Sequence, residues 1–224
     1  IDAQVLSLSA KKAERNANVG GHIAHTSKLD LHLASTGFSL SAFRDFSELV
    51  KEADIVNYHF PWPFMDVVHF VSRLRKPSVV SYHSDIVKQK MLLRLYRPLM
   101  HIFLNSVDHI IASSPKYVES SPTLQRYKDK LTVIPIGLDR NTYPEVSPSK
   151  LDFWRLRFEG RFFLFVGALR YYKGLEYLLD AACTARFPII ILGQGPMDVD
   201  LKKKADKLGL SNVHFLGGLP DDDK

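Results

Sequence analysis

Short runs rich in β-branched and aromatic residues alternate along the chain with longer stretches whose apolar positions recur every three or four residues. In the first part the runs predict strands over 3–8, 54–59, 78–82, 109–112 and 131–135, and the periodic stretches between them predict helices over 41–52, 64–74, 86–105 and 115–121. Around 143–149 the sequence turns to Pro, Ser and Glu without period. A second series then opens, with strands over 162–167, 188–193 and 212–216 and helices over 175–184 and 198–208. Strands that alternate with helices in this way form a parallel sheet covered by helices, so the chain reads as α/β in two domains, 1–150 and 151–224. The second series is shorter than the roughly 100–200 residues of a complete domain and is expected to be only its first part. The end at Pro220, Asp221, Asp222, Asp223 and Lys224 reads as a loop or helix start, or as a solvated acidic tail.

Composition removes several classes. With 46% hydrophobic residues the chain has ample material for a core, and a single cysteine excludes a disulfide scaffold or a cysteine zinc site. Cys183 sits in an apolar helical stretch (Tyr177, Leu178, Leu179, Ala181, Ala182) and is expected to be a buried, inert thiol. The longest apolar runs, 162–166 and 188–192, fall far short of the roughly 18 residues that cross a bilayer. Of the net charge of +6, most belongs to residues 1–150, where nineteen Lys and Arg face fourteen Asp and Glu. That excess favours a phosphate-bearing partner, either nucleic acid or an anionic membrane surface.

In an open parallel sheet, ligands bind beyond the carboxyl ends of the strands. After the strand over 54–59 comes the stiff aromatic loop Phe60-Pro61-Trp62-Pro63, preceded by His59; it either walls a pocket or starts the next helix with Trp62 packed over it. After 78–82 come His83, Ser84 and Asp85. His83 is placed to bind a sugar hydroxyl or phosphate, while Asp85 or Ser84 reads equally as a helix N-cap. The strand over 162–167 leads into Gly167, Ala168, Leu169, Arg170, Tyr171, Tyr172, Lys173 and Gly174, a cationic loop before a helix that would suit a diphosphate. Gly193 and Gly195, and later Gly217 and Gly218, would let backbone approach a ligand or would simply turn the chain. Neither a GxGxxG fingerprint nor a GxxxxGK[ST] loop is present. Lys90, Arg94, Arg97 and His101 form one stripe of a helix kinked by Pro98, with Leu92, Leu95, Tyr96, Leu99, Ile102 and Phe103 opposite. Such a helix could rest on anionic lipid with its apolar side partly in the core, or could be an ordinary covering helix with a solvated basic face.

Taken in order, the stretches ADIVNYHFPWP (53–63), SYHSDIVKQ (81–89), TVIPIGLD (132–139), FVGALRYYKGLEYLLDA (165–181) and ILGQGP through NVHFLG (191–217) resemble the retaining GT-B glycosyltransferases of group 1, or family 4. HFPWP and YHSDIVKQ are similar to the mannosyl- and rhamnosyltransferase branch that builds surface polysaccharides such as O-antigen. The resemblance implies two Rossmann-like domains, an acceptor held by the first, a nucleotide sugar held by the second, catalysis in the cleft and no metal or other cofactor. By match of position, Lys173 would stabilise the departing diphosphate and His83 would lie near the donor sugar and reacting centre. Gly167, Arg170, Lys173, Gly193, Gly195 and Phe215 would hold the donor, with His59, Trp62 and Asp85 toward the acceptor. Many members carry arginine where this chain has Ala168, and Arg170 is the candidate to supply that charge. The family's glycine-rich loop after the first strand is not seen; Gly20 and Gly21 lie in the wrong context for it. Its acidic donor motif would fall beyond Lys224, so this stretch alone is expected to be inactive.

The expected function is hexosyl transfer with retention from a nucleoside diphosphate sugar, GDP-mannose first among them, to a glycan or lipid-linked acceptor. The work would be cytoplasmic, with peripheral contact at the inner face of the plasma membrane through Lys90, Arg94 and Arg97. A different class on the same fold is a non-catalytic sugar-nucleotide or glycan-binding protein. Nucleic-acid binding is not expected, because no motif reads bases and His59 and Trp62 sit at a strand edge.

Overall fold

Alternation decides the first sheet. In β6 (Val56–Phe60) and β7 (Ser78–Tyr82), Val56, Tyr58, Phe60, Val80 and Tyr82 are buried on one face, while the residues between them lie on the other. A computed structural model of the chain describes residues 2–10, 16–19, 21–34, 36–73, 75–87, 90–138, 144–220 and 223. Gly20, Lys88, Gln89, Asp139, Tyr143, Asp221, Asp222 and Lys224 therefore lie outside the described residues, as does the side chain of Lys90.

In the first unit, β6 and β7 pair in parallel with β8 (His109–Ala112) and β9 (Leu131–Val133), in the order β6-β7-β8-β9. A second sheet places β3 (His22–Lys28) between β1 (Gln4–Ser9), which it meets in parallel, and β2 (Asn16–Val19), which it meets antiparallel. A hairpin of β4 (Leu31–Leu33) and β5 (Thr36–Phe38) leads into α1 (Leu40–Glu52). Of the strands before residue 40, only the first is foreshadowed by hydrophobic pattern, because β2, β4 and β5 have three or four residues and the longer β3 is interrupted by His22 and His25. Helix α1 starts where Ser39 Oγ accepts from the Ala42 amide at 3.2 Å and Asp30 Oδ2 accepts from the Leu40 amide at 2.8 Å. It buries Ala42 and Phe46, one turn apart. The core joins these to Tyr58, Phe60, Phe64, Val68, Val80, Tyr82, Phe103, Leu104 and Ile110. Phe64 and Val68 come from α2 (Pro63–Val71), and Phe103 and Leu104 from α3 (Lys90–Ser106). Helix α4 (Pro115–Ser120) and a 3₁₀ segment, Leu124–Lys130, complete this unit.

The compact units divide between Gly137 and Leu138, so residues 138–150 group with the second unit. The reason is α5 (Pro148–Arg157), a helix that the sequence pattern did not predict; Ser147 Oγ caps it and Pro148 occupies its first turn. Phe158, directly after it, packs against His214, and Lys150 pairs with Asp223 at 3.0 Å. The sheet of the second unit is all parallel, β10 (Phe163–Val166), β11 (Ile189–Leu192) and β12 (Val213–Gly217), ordered β10-β11-β12. One face packs on α6 (Leu175–Ala182) and α7 (Asp198–Lys207) through Leu175, Leu179, Ile189, Ile191 and Leu201. Cys183 is exposed, contrary to expectation, because the buried stripe of α6 runs through Leu175, Leu179 and Ala182 and the helix ends there.

The loops beyond these strands are joined backbone to backbone. Gly167 N donates to Leu192 O (3.0 Å), Leu169 N to Gln194 O (3.0 Å), and Gly193 N to Gly217 O (2.7 Å). A Cβ at residue 193 would lie 1.9 Å from Gly167 O, and one at residue 195 would lie 2.5 Å from Leu169 O. At both positions the missing side chain is what lets the loops close on each other.

Two predictions follow from this packing. Gly193→Ala and Gly195→Ala should each destabilise the second unit by more than about 2 kcal/mol in urea unfolding. Gly160→Ala, whose Cβ meets nothing within 4 Å, should cost only the positive-φ penalty of about 1 kcal/mol. The second concerns Asp66, which is 1% exposed and accepts a hydrogen bond from the Tyr96 hydroxyl. Burial pushes its carboxyl from the ordinary 3.8 up to about 7. A carboxyl raised on folding holds a proton that the unfolded chain has released, so its contribution to stability is best below the ordinary value and declines as pH rises toward 7. In thermal unfolding across that range, wild type should lose several degrees relative to Asp66→Asn.

Candidate active site

In the first unit the strand ends collect a polar cluster on the sheet face opposite the core. Residues Asn57 and His59 of β6 share this face with Ser81 of β7 and with His83 just beyond it. The parallel register sets His59 opposite Ser81, and the ladder continues past the strand with His83 N donating to Phe60 O at 3.0 Å. Ser81 Oγ donates to Asn57 Oδ1 at 3.0 Å, and His59 Nδ1 lies 2.8 Å from His83 Nε2. The planes of the two imidazoles are within 10° of parallel, with ring centres 5.0 Å apart. Partial burial, and then the charge of His59, hold the His83 imidazole below its ordinary pKa.

Asp85 has a structural engagement that the sequence did not show. Helix α3 begins at Lys90, so neither Ser84 nor Asp85 caps it. Instead Asp85 Oδ1 accepts from Tyr82 OH at 2.7 Å and from Ser121 Oγ at 3.0 Å, tying the loop after β7 to the segment after α4. Burial and this carboxylate together push the Tyr82 phenol far above its usual range. Trp62 is half-buried at the N-cap position of α2; its indole donates to Gly37 O at 3.1 Å and packs beside Phe64. It therefore braces the loop at the start of α2, with its one donor already spent.

Helix α3 has three faces rather than two. Tyr96, Met100, Phe103 and Leu104 turn inward, with Tyr96 only partly buried. Arg94 and Arg97 are exposed, whereas His101 is tied to Tyr127 OH at 2.7 Å. Between the basic edge and the core edge lies an exposed apolar stripe, Met91, Leu95 and Ile102, with Leu95 79% exposed. The sequence expectation of one apolar side is thus divided between core and surface.

In the second unit β10 ends at Val166 and the chain passes through Gly167 to a 3₁₀ turn, Tyr171–Lys173, before α6. Arg170 and Lys173 are both exposed on this loop, with Lys173 N bonded to Arg170 O at 3.0 Å and Lys173 Nζ over the Tyr172 ring. Gly174, at the N-cap of α6, brings no side chain to cap it. Tyr177 N in the first turn already donates to Gly174 O at 3.0 Å, so the amides of Leu175 and Glu176, which have no acceptor within the helix, and the two exposed cations are the groups this loop offers to an anion. Gly193 and Gly195 sit against the backbone of this same loop, so their smallness serves loop-to-loop packing. Phe215 shares the register of Ile191 and packs into the core beside α6 and α7, with Lys202 Nζ over its ring. The structure thus brings His59 and His83 together in the first unit, and Gly167, Arg170, Lys173, Gly193 and Gly195 together in the second, while Phe215 faces the core. The buried cluster of Asp66 with Tyr96, and of His69 with Tyr58 and Ser106, escaped sequence reasoning. The only signal for it was polar residues in an otherwise apolar helix.

With this geometry in view, comparison with known proteins is specific. The family model described as Glycosyltransferase Family 4 matches residues 1–142, and that described as Glycosyl transferases group 1 matches residues 150–224. The whole chain is 54% identical to D-rhamnosyltransferase WbpZ of Pseudomonas aeruginosa and 48% identical to O-antigen chain mannosyltransferase C of Escherichia coli. It spans 59% and 60% of their lengths. In fold it is similar to Anabaena Alr3699/HepE, solved in complex with UDP and glucose, with a TM-score of 0.64 at 19% identity, covering 90% of this chain and 57% of that one. The two family matches, the two relatives and the fold agree, and the chain belongs to the GT-B glycosyltransferases of family 4, group 1.

Proposed function

We propose that the full-length protein transfers a hexosyl unit, with retention, from a nucleoside diphosphate sugar to a growing glycan of the O-antigen type. GDP-mannose is the favoured donor, a choice supported by the mannosyl- and rhamnosyltransferase names of its relatives. The observation that carries the reading is the cationic loop of the second unit, where Arg170 and Lys173 precede the uncapped N-terminus of α6. In the reaction the bond from the anomeric carbon to the diphosphate oxygen breaks and an acceptor hydroxyl oxygen bonds to that carbon on the same face. The hydroxyl proton leaves with the diphosphate. Negative charge grows on the departing oxygen, and a fixed cation beside oriented amides lowers that barrier without a resident metal. His83, at the end of β7, is assigned to the donor sugar and reacting centre.

The exposed stripe of α3 supports a peripheral membrane role. Met91, Leu95 and Ile102 would enter the headgroup boundary while Arg94 and Arg97 meet anionic lipid.

Two measurements test these readings on the full-length protein. Release of nucleoside diphosphate should be acceptor-dependent with one donor of a panel that includes GDP-mannose, and Lys173→Ala should lower kcat by about 10²–10³. Donor binding without turnover in wild type would instead favour a sugar-nucleotide-binding protein. In sedimentation with vesicles, binding should require phosphatidylglycerol and fall about tenfold or more in the double variant Arg94→Glu, Leu95→Glu. Equal binding to neutral vesicles would exclude the electrostatic part of the contact.

A further inference from the structure

We infer that His59 is the positioning residue of His83, and that the two imidazoles act as one unit that shares a single hydrogen and presents Nδ1 of His83 to the substrate. This rests on the reading that His83 lies at the reacting centre.

The backbone fixes the pair before any ligand arrives. Two side-chain contacts cross from β6 to β7 by the same diagonal step. Asn57 is in register with Val79 but bonds Ser81, and His59 is in register with Ser81 but bonds His83. The pleat places all four on one face, and the bond from His83 N to Phe60 O keeps the ladder geometry one residue beyond β7. The backbone at His59 and His83 is therefore held by strand pairing, and the loop that follows is tied to Ser121 through Asp85.

The ring geometry identifies the contact. The separation of the ring centres, 5.0 Å, exceeds the 2.8 Å nitrogen contact by about the two centre-to-nitrogen radii, and the planes differ by 10°. The rings meet edge to edge in one plane, as an N–H···N bond requires, rather than face to face. Such a bond holds one hydrogen. With two, the inner nitrogens would both be donors and repel; with none, both would be acceptors.

The consequence is a division of labour between the nitrogens of His83. Nε2 is spent on His59. Nδ1 has no hydrogen-bond partner among the described residues, so it is the nitrogen left for a sugar or acceptor oxygen. When His59 Nδ1 donates, a neutral His83 carries its hydrogen on Nδ1 and offers a donor; when His83 Nε2 donates, Nδ1 offers an acceptor. The electrostatic neighbour of His83 is His59, and the nearby Asp85 directs Oδ1 to Tyr82 and Ser121. Protonating both rings would set two cations at the contact, and the depressed His83 pKa agrees with that.

The test uses full-length protein with ¹⁵N-labelled histidine, followed by two-bond ¹⁵N–¹H spectra across the titration range of imidazole. In wild type, His83 Nε2 and His59 Nδ1 should show one hydrogen between them, and His83 should titrate below 6.5. In His59→Phe, which removes the charge of His59 but not the burial, His83 should titrate higher than in wild type and exchange between tautomers as an isolated imidazole does. With an active donor, His59→Phe should lower kcat about tenfold, with donor KM changed less than about twofold, and shift the pH profile. His59→Gln, which keeps a polar partner, should recover part of the loss. An unchanged His83 tautomer and titration in His59→Phe overturns the inference. Absence of turnover in wild type would count against the transferase reading, and the spectra would still decide the pairing.

Discussion

The contact on which the second unit depends is a carbonyl lying where a side chain would have to be. Gly167 O occupies the space of a Cβ at residue 193, and the Leu169 backbone occupies that of a Cβ at residue 195. Once these loops close, Leu169 bonds Gln194, Met197 bonds Leu169, and the path from β10 to α6 has little freedom left. The position of Arg170 and Lys173 before α6 is therefore a backbone property. A loop fixed this way is organised before any ligand arrives, and under the proposed function that is the condition for its charges to lower a barrier rather than only to tighten binding.

The first unit achieves the same end with an amphipathic parallel sheet. Burial of Val56, Tyr58, Phe60, Val80 and Tyr82 obliges the alternate residues to the other face, and those residues are Asn57, His59, Ser81 and His83. A slip of one residue in the register of β7 would bury the polar set and expose the aromatic one. The driving force for the core and the placement of the polar cluster are thus one constraint. Asp85 adds to it by fastening the loop beyond β7 to Ser121.

Much of this was legible in the amino-acid order, for identifiable reasons. Strands 78–82 and 109–112 coincide with β7 and β8 because a short apolar run bounded by polar residues has one reading. Strand β2 was missed because its alternation, Asn16-Ala17-Asn18-Val19, spans only four residues, β3 because His22 and His25 interrupt its apolar run, and β4 and β5 because each has three residues. Helix α5 was missed because Leu151, Phe153 and Trp154 do not form a clean stripe; Ser147 followed by Pro148 was the available signal. At the site, the residue types were readable and their partners were not. His59 and His83 are 24 positions apart, and only strand register makes them neighbours. Gly193 and Gly195 announced a close approach without saying that the approaching group was the loop after β10. Asp85 looked like a cap because the start of α3 was expected four residues too early.

The central claim is that the loop from Gly167 to Gly174 receives the diphosphate of the donor. A crystal structure of the full-length protein with GDP tests it directly. The account predicts diphosphate oxygens within hydrogen-bond distance of Lys173 Nζ and of the first-turn amides of α6, with the loop backbone unchanged. A diphosphate held by other residues, with Lys173 left in solvent, would contradict it.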